Sequence, residues 1–426
     1  MKKSISFPLT NIAEFKSKML NWAKQFNIFC FLDNQQYDFT PSEFECLLGV
    51  GCIDFIETQS GNALQALHTF QQKHVDWIFG HIGYDLKNEI EELTSSHPDK
   101  IGFSDLGFFV PETVIQISKE EVIIHTTKDA NLLFQSIVNT PLSNIVSIPS
   151  AVTINSRFSK EEYIQTVKEI QKHILRGDCY ELNFCQEFYV EQINIDPLSV
   201  FLRLTQLSPN PFAAFYKWNN TYCIGASPER YLKRTGNTLI SQPIKGTAKR
   251  NLMDSQADNQ NKLHLQNSEK EKSENVMVVD LVRNDLSKVC KEGTVVVDEL
   301  FGIYSFPQVH QMISTIKGEI AESVSSAEII RSTFPMGSMT GAPKKRVMQL
   351  IEEFERTKRG LFSGSIGYFT PDGQFDFNVV IRSILYNQTT GYLSFQTGGA
   401  ITFYSDAEKE YAECLLKASA IQSTLS

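Results

Sequence analysis

Helical stretches and strand-like stretches are interleaved along the whole chain, and that mixture predicts an α+β fold. Residues 1–150 alternate helical segments with apolar, β-branched runs such as FFVPETVIQI and EEVIIHT. Beyond residue 150, strand–turn–strand units dominate. A third observation sets the scale: 426 residues with 42% hydrophobic and 21% charged side chains are enough to enclose a sizeable core.

A boundary is expected near residue 150, dividing the chain into 1–150 and 151–426. NTPLSNIVSIPSAVTINSRFS is rich in Ser, Pro, Asn and Thr, and a strongly helical segment follows it with Ser159 and Glu162 spaced for a capping box. Two hairpins come later. TYCIGASPERYLKRT turns at Gly236-Asn237 into NTLISQPIKGT, and GSIGYFT turns at Pro371-Asp372-Gly373 into FDFNVVIRSILY.

In QPIKGTAKR the run Thr238 to Ile244 reads as a half-buried strand broken by Gly246-Thr247, which leaves Lys245 at its end. Such a lysine is either a solvated strand end or an amine pressed into a pocket of low dielectric, which would lower its pKa. Glu229 in ASPERY and Arg382 in VVIRSIL pose the same question. A charge in an apolar strand is costly unless paired, so the three either converge on something polar or form salt bridges at the surface.

Two helices each offer a pair of carboxylates. Glu271 and Glu274 lie three apart at the front of SEKEKSENVMVVDLV, and Glu410 and Glu413 share that spacing in SDAEKEYAECLLKASAI, which opens with Ser405 and Glu408 placed as a capping box. They are either solvated helix glutamates or oxygen ligands for a hard cation, with Mg²⁺ favoured because it needs few protein ligands. In SMTGAPKKRVMQLIEEFE, Pro343 suits a first helical turn. Lys344, Lys345 and Arg346 then stand at the positive end of the helix dipole, where a nearby anion would relieve them.

Forty basic against forty-nine acidic residues give a net charge of −9, which argues against a general nucleic-acid partner. No apolar run approaches the roughly twenty residues of a membrane span. MKKSISFPLTNIAEF lacks the apolar core of a secretory signal, so the cytoplasm is the expected location. The eight cysteines (Cys30, Cys46, Cys52, Cys179, Cys185, Cys223, Cys290, Cys414) are scattered and read as reduced, structural residues.

RGDCYELNFCQEF, ASPERYL, PIKGT, SENVMVVDLVRNDL, GSMTGAPKKRVMQLI, FSGSIGYF, VVIRSIL and YAECLLKA, in that order, resemble the chorismate-utilising enzymes, the family of anthranilate, aminodeoxychorismate, isochorismate and salicylate synthases. HIGYDLKNEIEEL is similar to the N-terminal region of the anthranilate and aminodeoxychorismate branches. The resemblance implies two intertwined subdomains sharing large antiparallel sheets, with helices packed outside. It implies Mg²⁺ held by Glu271, Glu274, Glu410 and Glu413. It further implies substrate contacts from Gly246, Thr247, Ser338, Tyr368, Arg382, Gly398, Gly399 and Lys417, with His310 a candidate beside them.

Lysine before Gly-Thr is the mark of the aminodeoxychorismate branch, so Lys245 is the branch-deciding residue. The resemblance implies that its neutral amine adds to the ring of chorismate while Glu229 protonates the departing hydroxyl. Ammonia from a separate glutamine amidotransferase subunit then gives 4-amino-4-deoxychorismate. Anthranilate synthesis and a non-catalytic paralogue that binds the amidotransferase are the alternatives. Burial is expected to push Lys245 down and Glu229 up, with the two kept apart. Two departures stand out. Gln311 occupies the position where the family carries a histidine, with His310 one residue earlier, and Ala400 replaces the last glycine of a glycine-rich stretch.

Overall fold

A computed structural model describes residues 2–37, 44–118, 120–143 and 152–426. Among these residues the strands form a twelve-stranded and a ten-stranded sheet, and eleven α-helices accompany them. The fold is α+β. The boundary expected near residue 150 lies outside the described residues. Strands from both sides of it share each sheet: Ile28–Asp33 pairs antiparallel with Phe212–Trp218 in the larger one, and Ile78–Ile82 with Ser365–Phe369 in the smaller one.

Side-chain alternation explains how the sheets stack. On the strand Ile28–Asp33, Ile28 and Cys30 face the smaller sheet, whereas Phe29 and Phe31 face a layer of helices. Tyr216 and Trp218 join the first group, and Ala213 and Phe215 the second. Between the sheets, Trp218, Phe109 and His81 meet edge to face. On the outer side, helices Lys160–Arg176, Pro197–Leu207 and Ala407–Thr424 cover the larger sheet through Tyr163, Val167, Phe201, Leu204, Cys414 and Ala418. All eight cysteines are unpaired and seven are buried.

Local chemistry sets the helix ends. Lys160–Arg176 begins at Ser159, whose side chain accepts from Glu162 N while the Glu162 carboxylate answers to the Ser159 amide; it stops at Gly177 in a left-handed conformation. The C-terminal helix corrects an expectation, because Asp406 is its N-cap, accepting from the amides of Glu408 and Lys409. Ser405 is instead occupied one turn earlier, where its Oγ accepts from Thr402 N at 3.0 Å. Pro343 likewise caps Lys344–Phe354 from outside the helix.

Both expected hairpins are present, pairing Arg230–Thr235 with Thr238–Gln242 and Ser365–Phe369 with Phe375–Asn378. The strand around Lys245 differs from expectation. It breaks at Pro243, which has no N–H for the ladder, and a second strand, Ile244–Lys249, carries Lys245 and Gly246 through a register shift. Gly246 has φ +88°, a backbone region that L side chains rarely adopt. Glu229 and Arg382, expected within strands, lie outside them. Each sits where the chain passes from one sheet to the other, between Thr221–Ser227 and Arg230–Thr235 and between Phe375–Asn378 and Ser383–Asn387. Backbone hydrogen bonds Val379 N to Glu229 O (3.0 Å) and Ala226 N to Arg382 O (3.1 Å) lash these crossovers together.

Candidate active site

The seam where the chain changes sheets gathers most of the charged residues singled out in the sequence. Glu229 is buried at 4% exposure, and Ser338 Oγ, from the short turn Gly337–Met339, donates to its Oε1 at 2.6 Å. Burial pushes this carboxyl up to about 7; the Ser338 hydroxyl, Lys245, the Ile244 amide and Arg382 act against that rise without cancelling it. Arg382 stands opposite with φ +50°, and burial lowers its pKa. Among the described residues its guanidinium forms no ion pair, which leaves a desolvated cation open to an anion.

Lys245 corrects an expectation. Burial alone would drive its amine down, as the sequence predicts, but Nζ lies 2.9 Å from Glu181 Oε1, and Glu274 and Glu229 add their fields, so the net shift is upward. The 2.9 Å contact with Glu181 favours the charged ammonium in the resting protein. Lys245 and Glu229 are apart as expected, because the one ion pair of Lys245 among the described residues is with Glu181. Glu181 opens the strand Glu181–Val190 and is almost inaccessible, with Oε2 lacking a hydrogen-bond partner among the described residues. Sequence reasoning missed it. It heads a strand, ELNFCQEFYV, that also carries Asn183, Gln186 and Glu187, so nothing in the sequence set it apart as an isolated charge.

The two glutamate pairs do converge. Gly246 has no Cβ, and one placed there would stand 3.0 Å from Glu271 Oε2; one on Gly399 would stand 3.3 Å from Glu410 Oε2 and 3.6 Å from Glu413 Oε1. The two glycines thus let strand backbone come close to carboxylates from helices Glu269–Ser287 and Ala407–Thr424. Burial pushes Glu274 up to about 7 and raises Glu271 as well, whereas Lys417 beside Glu413 lowers that group. Lys417 Nζ contacts Glu413 Oε1 at 2.8 Å and donates to Gly398 O at 2.9 Å, which places it on the same face as the sequence implies.

These four side chains fit a hard cation in chemistry. All donors are oxygens, two of them are strongly desolvated, and Glu274 Oε1 is buried without a hydrogen-bond partner. Among the described residues no three acidic, His or Cys side chains stand close enough to form a finished metal cluster. The half-exposed Lys270 ammonium lies 3.6 Å from Glu410 Oε1 and 3.8 Å from Glu274 Oε1, in the position a cation would take.

Three candidates sit differently. Tyr368 packs against Trp77, Phe79 and Phe44 of the N-terminal half. His310 is held by Ser305 Oγ at 2.8 Å and Asp258 Oδ1 at 3.2 Å. Its neighbour Gln311 pairs across strands with the exposed Thr247 and keeps a buried Oε1 without a partner. Lys344 is engaged by Asp285 at 2.9 Å, so a carboxylate of this chain meets the cation at the helix start. Ala400 lies in the regular strand Tyr392–Ile401, opposite Asn183, where no left-handed φ is needed.

Comparisons with known proteins agree with this arrangement. A profile described as chorismate binding enzyme matches residues 31–423. The chain is 33% identical over 365 residues to aminodeoxychorismate synthase component 1 of Salmonella typhimurium, covering 84% of this chain and 80% of that protein. Against the Escherichia coli protein of the same name the identity is 33% over 344 residues, covering 80% and 75%. The chloroplastic aminodeoxychorismate synthase of Arabidopsis thaliana is 34% identical over 443 residues; the match takes in 97% of this chain but 46% of the plant protein, so the chain spans about half its length. Among solved structures, anthranilate synthase component I from Streptococcus pneumoniae superposes with a TM-score of 0.78 at 24% identity, covering 90% of this chain and 93% of that one. The menaquinone-specific isochorismate synthase of Escherichia coli superposes with a TM-score of 0.78 at 17% identity, covering 100% and 95%. Those two establish the shared fold. With nearly the full length matched by one profile, and its charged seam built on that fold, the chain belongs to the chorismate binding enzyme family.

Proposed function

We propose that the chain aminates chorismate at C4, giving 4-amino-4-deoxychorismate, with ammonia delivered by a glutamine amidotransferase partner. The observation that carries this reading is a lysine, Lys245, set in the same seam as a glutamic acid, Glu229, that is 4% exposed and whose carboxyl burial lifts to about 7. The names of the Salmonella and Escherichia relatives support it, and "component 1" in those names supports a second subunit.

Chorismate carries two carboxylates, and this chain is acidic overall, so its affinity must come from local cations and amides. Arg382, which has no ion pair among the described residues, is suited to one carboxylate. Glu271, Glu274, Glu410 and Glu413 would hold Mg²⁺, which supplies the positive charge that lets a second carboxylate approach four acidic side chains. Lys270 is on a helix start and half exposed, so it has room to leave their midst.

The Lys245 amine, once uncharged, bonds to ring C2 as the double bond shifts and the C4–O bond breaks. Glu229, within hydrogen-bonding reach of Ser338, gives its proton to the departing hydroxyl, which leaves as water. Ammonia then bonds to C4, the double bond shifts back, and the C2–N bond to Lys245 breaks. The proton released by the new amine returns to Glu229. A carboxyl at about 7 is matched to this double duty, since it holds its proton before the first step and accepts one after the second.

Purified chain given chorismate, Mg²⁺ and an ammonium salt is expected to form aminodeoxychorismate, read by chromatography and mass spectrometry. Anthranilate as the main product would overturn the reading.

A further inference from the structure

The mechanism needs Lys245 without its proton, yet in the resting site its amine forms a 2.9 Å ion pair with Glu181, so something nearby must take that proton. We propose that Glu181 accepts it and stores it for the length of the catalytic cycle, an inference that rests on the amination reading above.

The geometry singles out one acceptor. Glu181 Oε1 lies 2.9 Å from Lys245 Nζ, and both side chains are buried, at 10% exposure for the lysine and 2% for the glutamate. The second carboxylate oxygen, Oε2, is buried and has no hydrogen-bond partner among the described residues. The groups that face Lys245 from other elements are Glu274 and Glu271 on helix Glu269–Ser287, Glu413 on the C-terminal helix, and Glu229 at the crossover. None of them pairs with it. Glu229 must keep its own proton, and the other three belong to the set suited to a cation.

An ion pair this deep is sensitive to water. When a substrate ring covers it, both charges lose their remaining solvation, which favours the neutral pair over the ionic one. The transfer converts ammonium and carboxylate into amine and carboxylic acid without exchange with bulk water. The C–N bond to the ring then forms on the free lone pair. After ammonia expels the lysine, the neutral amine takes the proton back from Glu181 and the ion pair is restored.

The test is single-turnover formation of the covalent adduct from chorismate and Mg²⁺ without ammonia, followed by quenching and intact mass, for wild type, Glu181→Gln and Glu181→Asp. The Gln variant keeps a polar contact to Lys245 but cannot store a proton, so the amine must deprotonate to solvent. Its adduct rate is expected to fall about 100-fold near pH 7. The ratio of its rate to wild type should then climb about tenfold per pH unit between about pH 6.5 and about pH 8.5, because Glu229 titrates in both proteins and cancels. The Asp variant should stay within about tenfold of wild type with a flat ratio.

A Gln variant with wild-type rate and pH profile would overturn the proposal and leave Lys245 as nucleophile untouched. A Gln variant slowed equally at every pH would also overturn it, since that marks a purely structural role. Absence of an adduct in wild type would instead bring down the amination reading itself, and this inference with it.

Discussion

Burial disfavours charge on Glu229 and on Lys245 alike, and the two respond differently because only the lysine has a carboxylate in contact. Glu229 binds its proton more tightly folded than unfolded, with its value raised from 4.5 to about 7. Its contribution to stability is therefore full below about pH 4.5 and is lost as pH rises through about 7, a change of about 3 kcal/mol. Glu229→Gln should escape that loss. Chemical denaturation at about pH 5 and about pH 8 is expected to show the variant gaining on wild type by up to about 3 kcal/mol at the higher pH, while turnover falls at least about 100-fold. The pairing of Lys245 with Glu181 was not legible in the sequence. The two residues are 64 positions apart and sit on strands of different sheets, so no local spacing relates them. Local chemistry leaves a solvated and a buried lysine both open, and only the assembled seam says that it is enclosed and which carboxylate meets it.

At the scale of elements, helical periodicity made the four glutamates readable, because a spacing of three fixes a shared face whatever the helix packs against. What periodicity could not supply was the start of the last helix, where two adjacent residues, Ser405 and Asp406, were both chemically able to cap it. Asp406 holds that place, so Asp406→Ala should cost about 1 kcal/mol, measured by thermal or denaturant unfolding, and should raise the KM for chorismate by loosening Glu410 and Glu413. Ser405→Ala removes no helix cap and should be the milder change. Ala400 gives a second check. Its strand conformation makes alanine as suitable as the expected glycine, so Ala400→Gly should lower stability by roughly 0.5–1 kcal/mol with activity unchanged.

Across the whole molecule, the hairpins were visible in the sequence but the order of strands was not, since antiparallel neighbours such as Ile28–Asp33 and Phe212–Trp218 are set by long-range packing. The consequence is a fold whose two halves cannot part. Residues 152–426 alone would expose the edges of Phe212–Trp218 and Ser365–Phe369 and strip the partners from Tyr216, Trp218 and Ile366. That fragment is expected to aggregate, and the full chain to unfold in one calorimetric transition; a soluble, cooperatively melting fragment would contradict the intertwined core.

The proposed amination turns on a bond between Lys245 and the substrate ring, and intact mass tests it most directly. Wild-type chain quenched after mixing with chorismate and Mg²⁺, with no ammonia present, should gain the mass of chorismate less one water, and Lys245→Ala should gain nothing. Equal adducts on both, or ammonia-dependent turnover by Lys245→Ala at the wild-type rate, would contradict it.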